Sequence, residues 1–258
     1  MIYLTLEDRM KSYERETNIV LNKKVPVIGR VDGKCFSKFT KSLKKSADSP
    51  WSSEFIYAMT TAATAACKEI QGCKMAYVQS DEISFLITDT SSVNSEAYHG
   101  YKMRKMDSIV ASTVTVEFFG ALVSKIPGMI EARPKFDARF WNLSTDEIVN
   151  YFIYRQQDAV RNSVQMLARH HFSHKDCCNK SVIQLKDMLQ NKGIVWKDID
   201  IYCQRGAAIV NKTFEETLTY SRNGVEQQAI VNRKKWVIDW STPIFTEDRN
   251  YIENLLAY

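Results

Sequence analysis

The chain has 258 residues, of which 45% are hydrophobic and 25% charged, and at this length roughly three quarters of the unfolded chain's surface can be hidden on folding. Intrinsic disorder and a disulfide-stapled miniprotein are thereby excluded. No run approaches the roughly 18 consecutive apolar residues a membrane span needs, and Met1 to Glu16 mixes Glu7, Asp8, Arg9 and Lys11 where a signal peptide would be apolar, so a soluble, cytoplasmic protein without membrane contact is expected.

In chain order, Leu6 to Leu21 reads as an opening helix and Val25 to Val31 as a short apolar strand, broken at the turn dipeptide Asp32-Gly33. Asp48 or Ser49 before Pro50 is a helix start, with Phe55, Met59, Ala62 and Ala66 as its apolar face and Gly72 as its stop. Lys74 to Val78 and Ile83 to Thr88 read as a hairpin closed at Gln79-Ser80-Asp81-Glu82. A helix over Tyr98 to Val123 follows, then a strand over Lys135 to Trp141. Ser144 with Glu147 three residues on spells a capping box for a helix reaching Arg169. The resulting β-α-β-β-α-β order is the split βαβ of ferredoxin-like α+β folds, of which polymerase palms are variants, with an antiparallel sheet and its long helices on one face. Beyond Lys180, a helix at Ser181 to Gln190 and alternating runs at Arg205 to Asn211 and Lys235 to Trp240 form a mixed C-terminal extension. No linker-like composition divides the chain, so one catalytic domain is expected, with a palm-like core over about 1–145 and an extension over about 146–258 packed on it.

The net charge of +5 is concentrated: Arg30, Lys34, Lys38, Lys41, Lys44 and Lys45 face one acid, Asp32, while the rest of the chain balances at 29 cations against 29 acids. Such a segment is either a solvated loop or a phosphate-handling one. Six scattered cysteines with no C-x-x-C pair fit reduced thiols. His170, His171, His174, Cys177 and Cys178 are ligand types, but closed zinc sites draw on two separated pairs. A turn with backbone-bonded histidines is the better reading.

Asp32 ends the first core strand and Asp81 sits in the next hairpin turn, which a split βαβ sheet brings to one edge. Two carboxylates there either make turns or hold Mg²⁺, whose octahedron is commonly completed by waters and substrate phosphates. A two-metal site would serve phosphoryl or nucleotidyl transfer.

Arg30-Val31-Asp32-Gly33-Lys34-Cys35-Phe36, Gln79-Ser80-Asp81-Glu82-Ile83-Ser84-Phe85 and Phe136-Asp137-Ala138-Arg139 closely resemble, in order and spacing, the three signature segments of the tRNA(His) guanylyltransferase superfamily. The likeness continues through Tyr151 to Ser163 and His171 to Lys175, and covers roughly residues 5 to 210. Val160 to Met166 departs from the eukaryotic wording and resembles the bacterial and archaeal guanylyltransferase-like branch. The resemblance implies addition of nucleotides, GTP among them, to the 5′ end of tRNA in the 3′-5′ direction. An ATP-dependent adenylylation precedes attack by the incoming 3′-hydroxyl, and templated repair of truncated 5′ ends accompanies or replaces addition to tRNA(His).

By the same resemblance, Asp32, the Gly33 carbonyl and Asp81 would ligate two Mg²⁺, with Asp32 and Asp81 catalytic. Backbone amides of Lys34, Cys35, Phe36 and Ser37 would form an anion nest for a triphosphate, and Ser80 would lie beside it. Lys45 and Asp48 keep the charged positions of the family's phosphate loop. Lys102 and Lys105 match basic positions that meet a second nucleotide's triphosphate, Arg139 would clamp phosphate bidentately, and Arg161, Asn162 and Ser163 would border the substrate. Asp137 reads as structural, and Arg155 with Asp158 could equally be a structural ion pair. ATP and GTP are the implied substrates, tRNA the partner, and a homo-tetramer the expected assembly. Two other readings fit the residues less well: a palm enzyme that cyclises or primes nucleotides without tRNA, and a non-catalytic RNA-binding protein, which would leave Asp32 among cations unexplained.

Overall fold

The computed structural model describes residues 5–40, 43, 49–92, 94–222 and 225–256. Its centre is a six-stranded antiparallel sheet in the order β4-β1-β3-β2-β5-β6, formed by β1 (Val27–Gly33), β2 (Cys73–Gln79), β3 (Glu82–Ile87), β4 (Phe136–Asn142), β5 (Ala207–Arg222) and β6 (Val225–Asp239). The first four strands have the ferredoxin-like order. β5 and β6 extend the same sheet from the β2 edge.

One face of the sheet is covered by α3 (Ser53–Glu69) and α4 (Met103–Lys125). Val27, Val31, Ala76, Val78, Ile83 and Phe85 from the strands pack there against Met59, Ala62 and Ala66 of α3 and Val110, Val114 and Phe118 of α4. The two long helices of the β-α-β-β-α-β core thus lie on one face, as expected. The third, α5 (Thr145–His171), lies on the opposite face, where Ile28, Met75, Tyr77 and Leu86 meet Ile148, Val149 and Phe152, joined by Phe245 and by Ile252 of α9 (Asn250–Leu256). The physical reason is in the strands: all six residues of β3 are buried, so both of its faces need apolar cover.

Several boundaries differ from those the sequence suggests. α1 (Leu6–Arg15) ends before Leu21. α3 begins after Ser52, whose Oγ accepts the Phe55 amide at 3.2 Å, and not at Pro50. The Ser144 capping box does not form: the Glu147 amide donates to the Ser144 carbonyl at 3.0 Å, and the Glu147 carboxylate accepts from Asn150. Capping boxes do close α6 (His174–Cys177) and α7 (Val182–Asn191), through Ser173 with Asp176 and Ser181 with Gln184. α4 is long and apolar enough to cross a membrane by length and composition, although it contains no long unbroken apolar run; its buried stripe of Met106, Val110, Val114, Phe118 and Leu122 lies against the sheet.

The C-terminal strands are much longer than the runs that signal them. β5 pairs with β2 only over Ala207 to Val210, whereas its pairing with β6 continues from Ala208↔Asp239 out to Arg222↔Val225. Among the described residues, the strands beyond Val210 therefore pair only with each other.

Candidate active site

Asp32 sits at the end of β1, which lies between β4 and β3, with Glu82 of β3 as its register partner on one side and Asp137 of β4 on the other. Asp81 occupies the two-residue β2–β3 turn, which Ser80 enters with φ of 48°, the left-handed geometry that short hairpins require. The two turns are tied together: the Gly33 amide donates to the Asp81 carbonyl at 3.0 Å. Burial pushes the Asp81 carboxyl above its ordinary value and the nearby Asp32 charge adds to that, opposed by bonds from its own backbone amide and from Ser80. Among the described residues no lysine or arginine forms an ion pair with either aspartate. Two close carboxylates with no ion-paired cation among the described residues, one of them desolvated, fit a divalent metal as a countercharge.

After Gly33 the chain turns sharply. The Phe36 ring is buried among Phe39, Phe55, Phe118 and Phe136, and a Cβ on Gly33 would lie 2.5 Å from it, so glycine is dictated by close approach. Cys35 is left-handed (φ 61°, ψ 27°) and leads into the four-residue α2 (Phe36–Phe39). A left-handed residue followed by helical ones directs successive amides to one side, as in an anion nest. The Phe36 and Ser37 amides begin a helix and have no intrahelical acceptor. Lys34 does not join them, because its amide donates to the Lys135 carbonyl at 2.8 Å. The Phe36 side chain belongs to the core, leaving only its backbone for a ligand. Lys45 and Asp48 lie outside the described residues.

An open cleft of about 630 Å³ connects these parts. It is lined by Phe36, Ser37 and Thr40, by Ser80 and Asp81, and by Asn162, Gln165, Met166, Arg169 and His170 of α5. Asn162 lines this cleft together with Asp81, and its side-chain amide donates to Asp158 at 3.3 Å. Arg161 is more than half exposed and ion-paired to Asp158. Ser163 is buried, and its hydroxyl accepts the Trp196 indole N–H at 3.0 Å, a structural bond. Arg139 is half exposed and bonded to Asp137 at 2.9 Å, which gives the aspartate its structural role. Lys102 and Lys105 are not brought to the carboxylates. They stand at the start of α4, whereas Phe118, roughly 20 Å further along at 1.5 Å per residue, packs beside Phe36 and Phe136 at the Asp32 end.

Sequence reasoning gave no role to Glu82, yet it anchors the site. Arg155 of α5 donates two bonds of 2.7 Å to it, and Asp158 takes a third at 3.0 Å. Burial pushes the Glu82 carboxyl up, and the Arg155 charge opposes that push. Gln165, Met166, Arg169 and His170 were also missed as cleft residues. With Asn162 they follow the i, i+3, i+4, i+7, i+8 spacing of a single helix face, a signal present in the sequence. His170, His171, His174, Cys177 and Cys178 form no metal-holding group of three or more ligand side chains among the described residues.

A split βαβ sheet carrying an acidic pair at the end of β1 and in the adjacent hairpin defines a palm-type enzyme. Comparison with known proteins narrows this. The family model described as Thg1, tRNAHis guanylyltransferase, matches residues 7–144. A bacterial tRNA(His) guanylyltransferase-like protein solved in complex with ATP is 32% identical and superposes with a TM-score of 0.85, covering 98% of this chain and 100% of that one. A second such structure, in complex with GTP, has a TM-score of 0.75 at 32% identity over 98% of this chain and 99% of that one. tRNA(His) guanylyltransferase 1 of Arabidopsis thaliana is 26% identical over 83% of this chain, which spans 38% of the plant protein's length. The chain belongs to the tRNA(His) guanylyltransferase family and is, by class, a tRNA 5′-end nucleotidyltransferase.

Proposed function

We propose that the protein adds nucleotides to the 5′ end of tRNA in the 3′-5′ direction, repairing truncated ends opposite a template strand as well as, or in place of, adding guanosine to tRNA(His). An oxygen of a 5′-monophosphate end attacks the α-phosphate of ATP and releases pyrophosphate. The 3′-hydroxyl of the incoming nucleotide then attacks the activated 5′-phosphate and expels AMP. A 5′-triphosphate end omits the first step and releases pyrophosphate in the second.

Asp32, the Gly33 carbonyl and Asp81 would hold Mg²⁺, which lowers the cost of negative charge on attacking and departing oxygens. The amides of Cys35, Phe36 and Ser37 would bind triphosphate oxygens, with Lys45 and Asp48 completing the loop and Ser80 beside it. Asn162 and Arg161 would border the RNA end, and Lys102, Lys105 and Arg139 would meet a second nucleotide's phosphates, on resemblance alone. A cytoplasmic homo-tetramer is the working form on this reading.

The observation that carries the reading is the 3.0 Å bond from the Gly33 amide to the Asp81 carbonyl, which fixes the two acid-bearing turns side by side. It is supported by the bacterial relatives solved with ATP and with GTP. The test is incubation with Mg²⁺, ATP, labelled GTP and either full-length tRNA or tRNA lacking its first nucleotide. Extension that disappears in Asp32→Ala and Asp81→Ala is expected. Activity indifferent to both substitutions, or RNA binding without extension, would overturn the proposal.

A further inference from the structure

A second cavity, of about 180 Å³, lies behind the cleft wall. It is lined by Gln165, Arg169, His174, Cys178, Asn179 and Lys180 together with Cys177 and Leu185. Gln165 and Arg169 also line the cleft, so one turn of α5 forms the partition between the two spaces.

Arg169 sits in the last turn of α5, where a cation favours the helix dipole, but the terminal carbonyl of His171 already accepts the Lys192 ammonium at 3.0 Å. Among the described residues neither Arg169, Lys175 nor Lys180 forms an ion pair. The acid of this segment, Asp176, is held in the Ser173 capping box. The result is a polar recess whose cations form no ion pair among the described residues, opening beside the cleft.

We propose that this recess binds a backbone phosphate of the RNA strand whose 5′ end lies in the cleft. The inference rests on the function proposed above and locates the path of the substrate from that site. Asn162, which lines the cleft with Asp81, and Arg169 are seven residues apart on α5, or about 10 Å along the axis. The recess therefore receives the strand a nucleotide or two from its reacting end. Its volume accommodates a phosphate with one or two waters, each about 30 Å³, and its polar lining suits a phosphate better than a base. Arg169 is placed to touch phosphate on both sides of the partition, and Lys180 on the far side alone.

Lys180→Gln tests this. Measured by fluorescence anisotropy against a labelled 5′-truncated tRNA, its RNA affinity falls about three- to tenfold and the slope of log affinity against log salt falls by about one. The affinity of free ATP in the absence of RNA is unchanged. Adding Arg169→Gln lowers the salt slope further. Unaltered RNA affinity and salt slope would overturn the inference, as would weakened ATP binding with RNA binding intact, which would give the recess to a nucleotide's triphosphate. A second measurement needs no variant. Exposed Cys178 lines the recess, so saturating RNA slows its alkylation by N-ethylmaleimide, and saturating ATP does not; equal rates with and without RNA count against the proposal. These are binding readouts, so they separate from failure of the proposed reaction, which would appear as absence of extension by the unaltered protein.

Discussion

Arg155 and Glu82, 73 positions apart in the chain, meet through two 2.7 Å hydrogen bonds with both side chains almost entirely out of water. Glu82 follows Asp81 and is the cross-strand partner of Asp32. The pair is therefore the internal fixture of the acidic site, joining the end of the sheet to α5 on its far face.

Removing Arg155 strips the buried Glu82 of its two short hydrogen bonds and leaves Arg30, at 3.9 Å, as its ion-pair partner. Arg155→Ala should cost about 3–5 kcal/mol of stability, whereas Arg155→Met with Glu82→Met should recover part of that loss, because the two most buried charges leave together while Arg30 and Asp158 each lose one partner. Urea unfolding of the two variants checks this. A double variant as unstable as the single one would show that the bonds are not the source of the effect.

Asp81 is a desolvated carboxylate beside another acid, and asparagine keeps its shape and its acceptor for Ser80. Asp81→Asn should therefore raise Tm by about 2–4 °C, corresponding to about 1 kcal/mol, while abolishing 5′-end extension. Differential scanning calorimetry without added metal reads the first effect. A lowered Tm would mean that the carboxylate is satisfied in a way its surroundings do not reveal.

At Gly33, a methyl group would strike the Phe36 ring at 2.5 Å. Gly33→Ala should destabilise by about 1–3 kcal/mol through overpacking and should weaken nucleotide binding by displacing the Cys35 turn. Combining it with Phe36→Leu should restore part of the nucleotide affinity. Isothermal titration with ATP is the relevant measurement, and unaltered affinity in Gly33→Ala would refute the link.

The cysteines should differ sharply in reactivity with pH. Burial pushes the Cys203 thiol up to about 12, whereas Cys35 and Cys178 are exposed. With an ordinary thiol near 8.5, Cys203 holds roughly a thousandfold less thiolate at pH 8, and thiolate is the reacting species. Its alkylation rate should climb about tenfold per pH unit well past pH 9. Peptide-resolved mass spectrometry of maleimide adducts follows each site.

The sheet core and the two aspartates were legible because local signals carry them: apolar strands, turn dipeptides and a family wording that surrounds Asp32 and Asp81. What stayed hidden depends on contacts between distant segments. Nothing near Glu82 announces Arg155, and nothing near Ser163 announces Trp196, whose indole N–H the Ser163 hydroxyl accepts. Lys102 and Lys105 match by resemblance basic positions for a second nucleotide's triphosphate, and only the direction in which α4 crosses the sheet shows that they stand at the end away from Asp32. The side of the sheet taken by α5 was likewise undetermined by its own periodicity, since an apolar helix face fits either surface of a doubly buried strand.

The β5–β6 hairpin divides into two regimes of protection. Its root, Ala207 to Val210, is anchored between β2 and β6 in the buried sheet. Farther out, a two-stranded ribbon has little to hold it together except its own cross-strand bonds, an arrangement only marginally stable in water. Amide hydrogens beyond Val210 should therefore exchange with deuterium through local opening while those of Ile209 wait for global unfolding, so that a single strand reports both the cheapest and the costliest motions of the molecule.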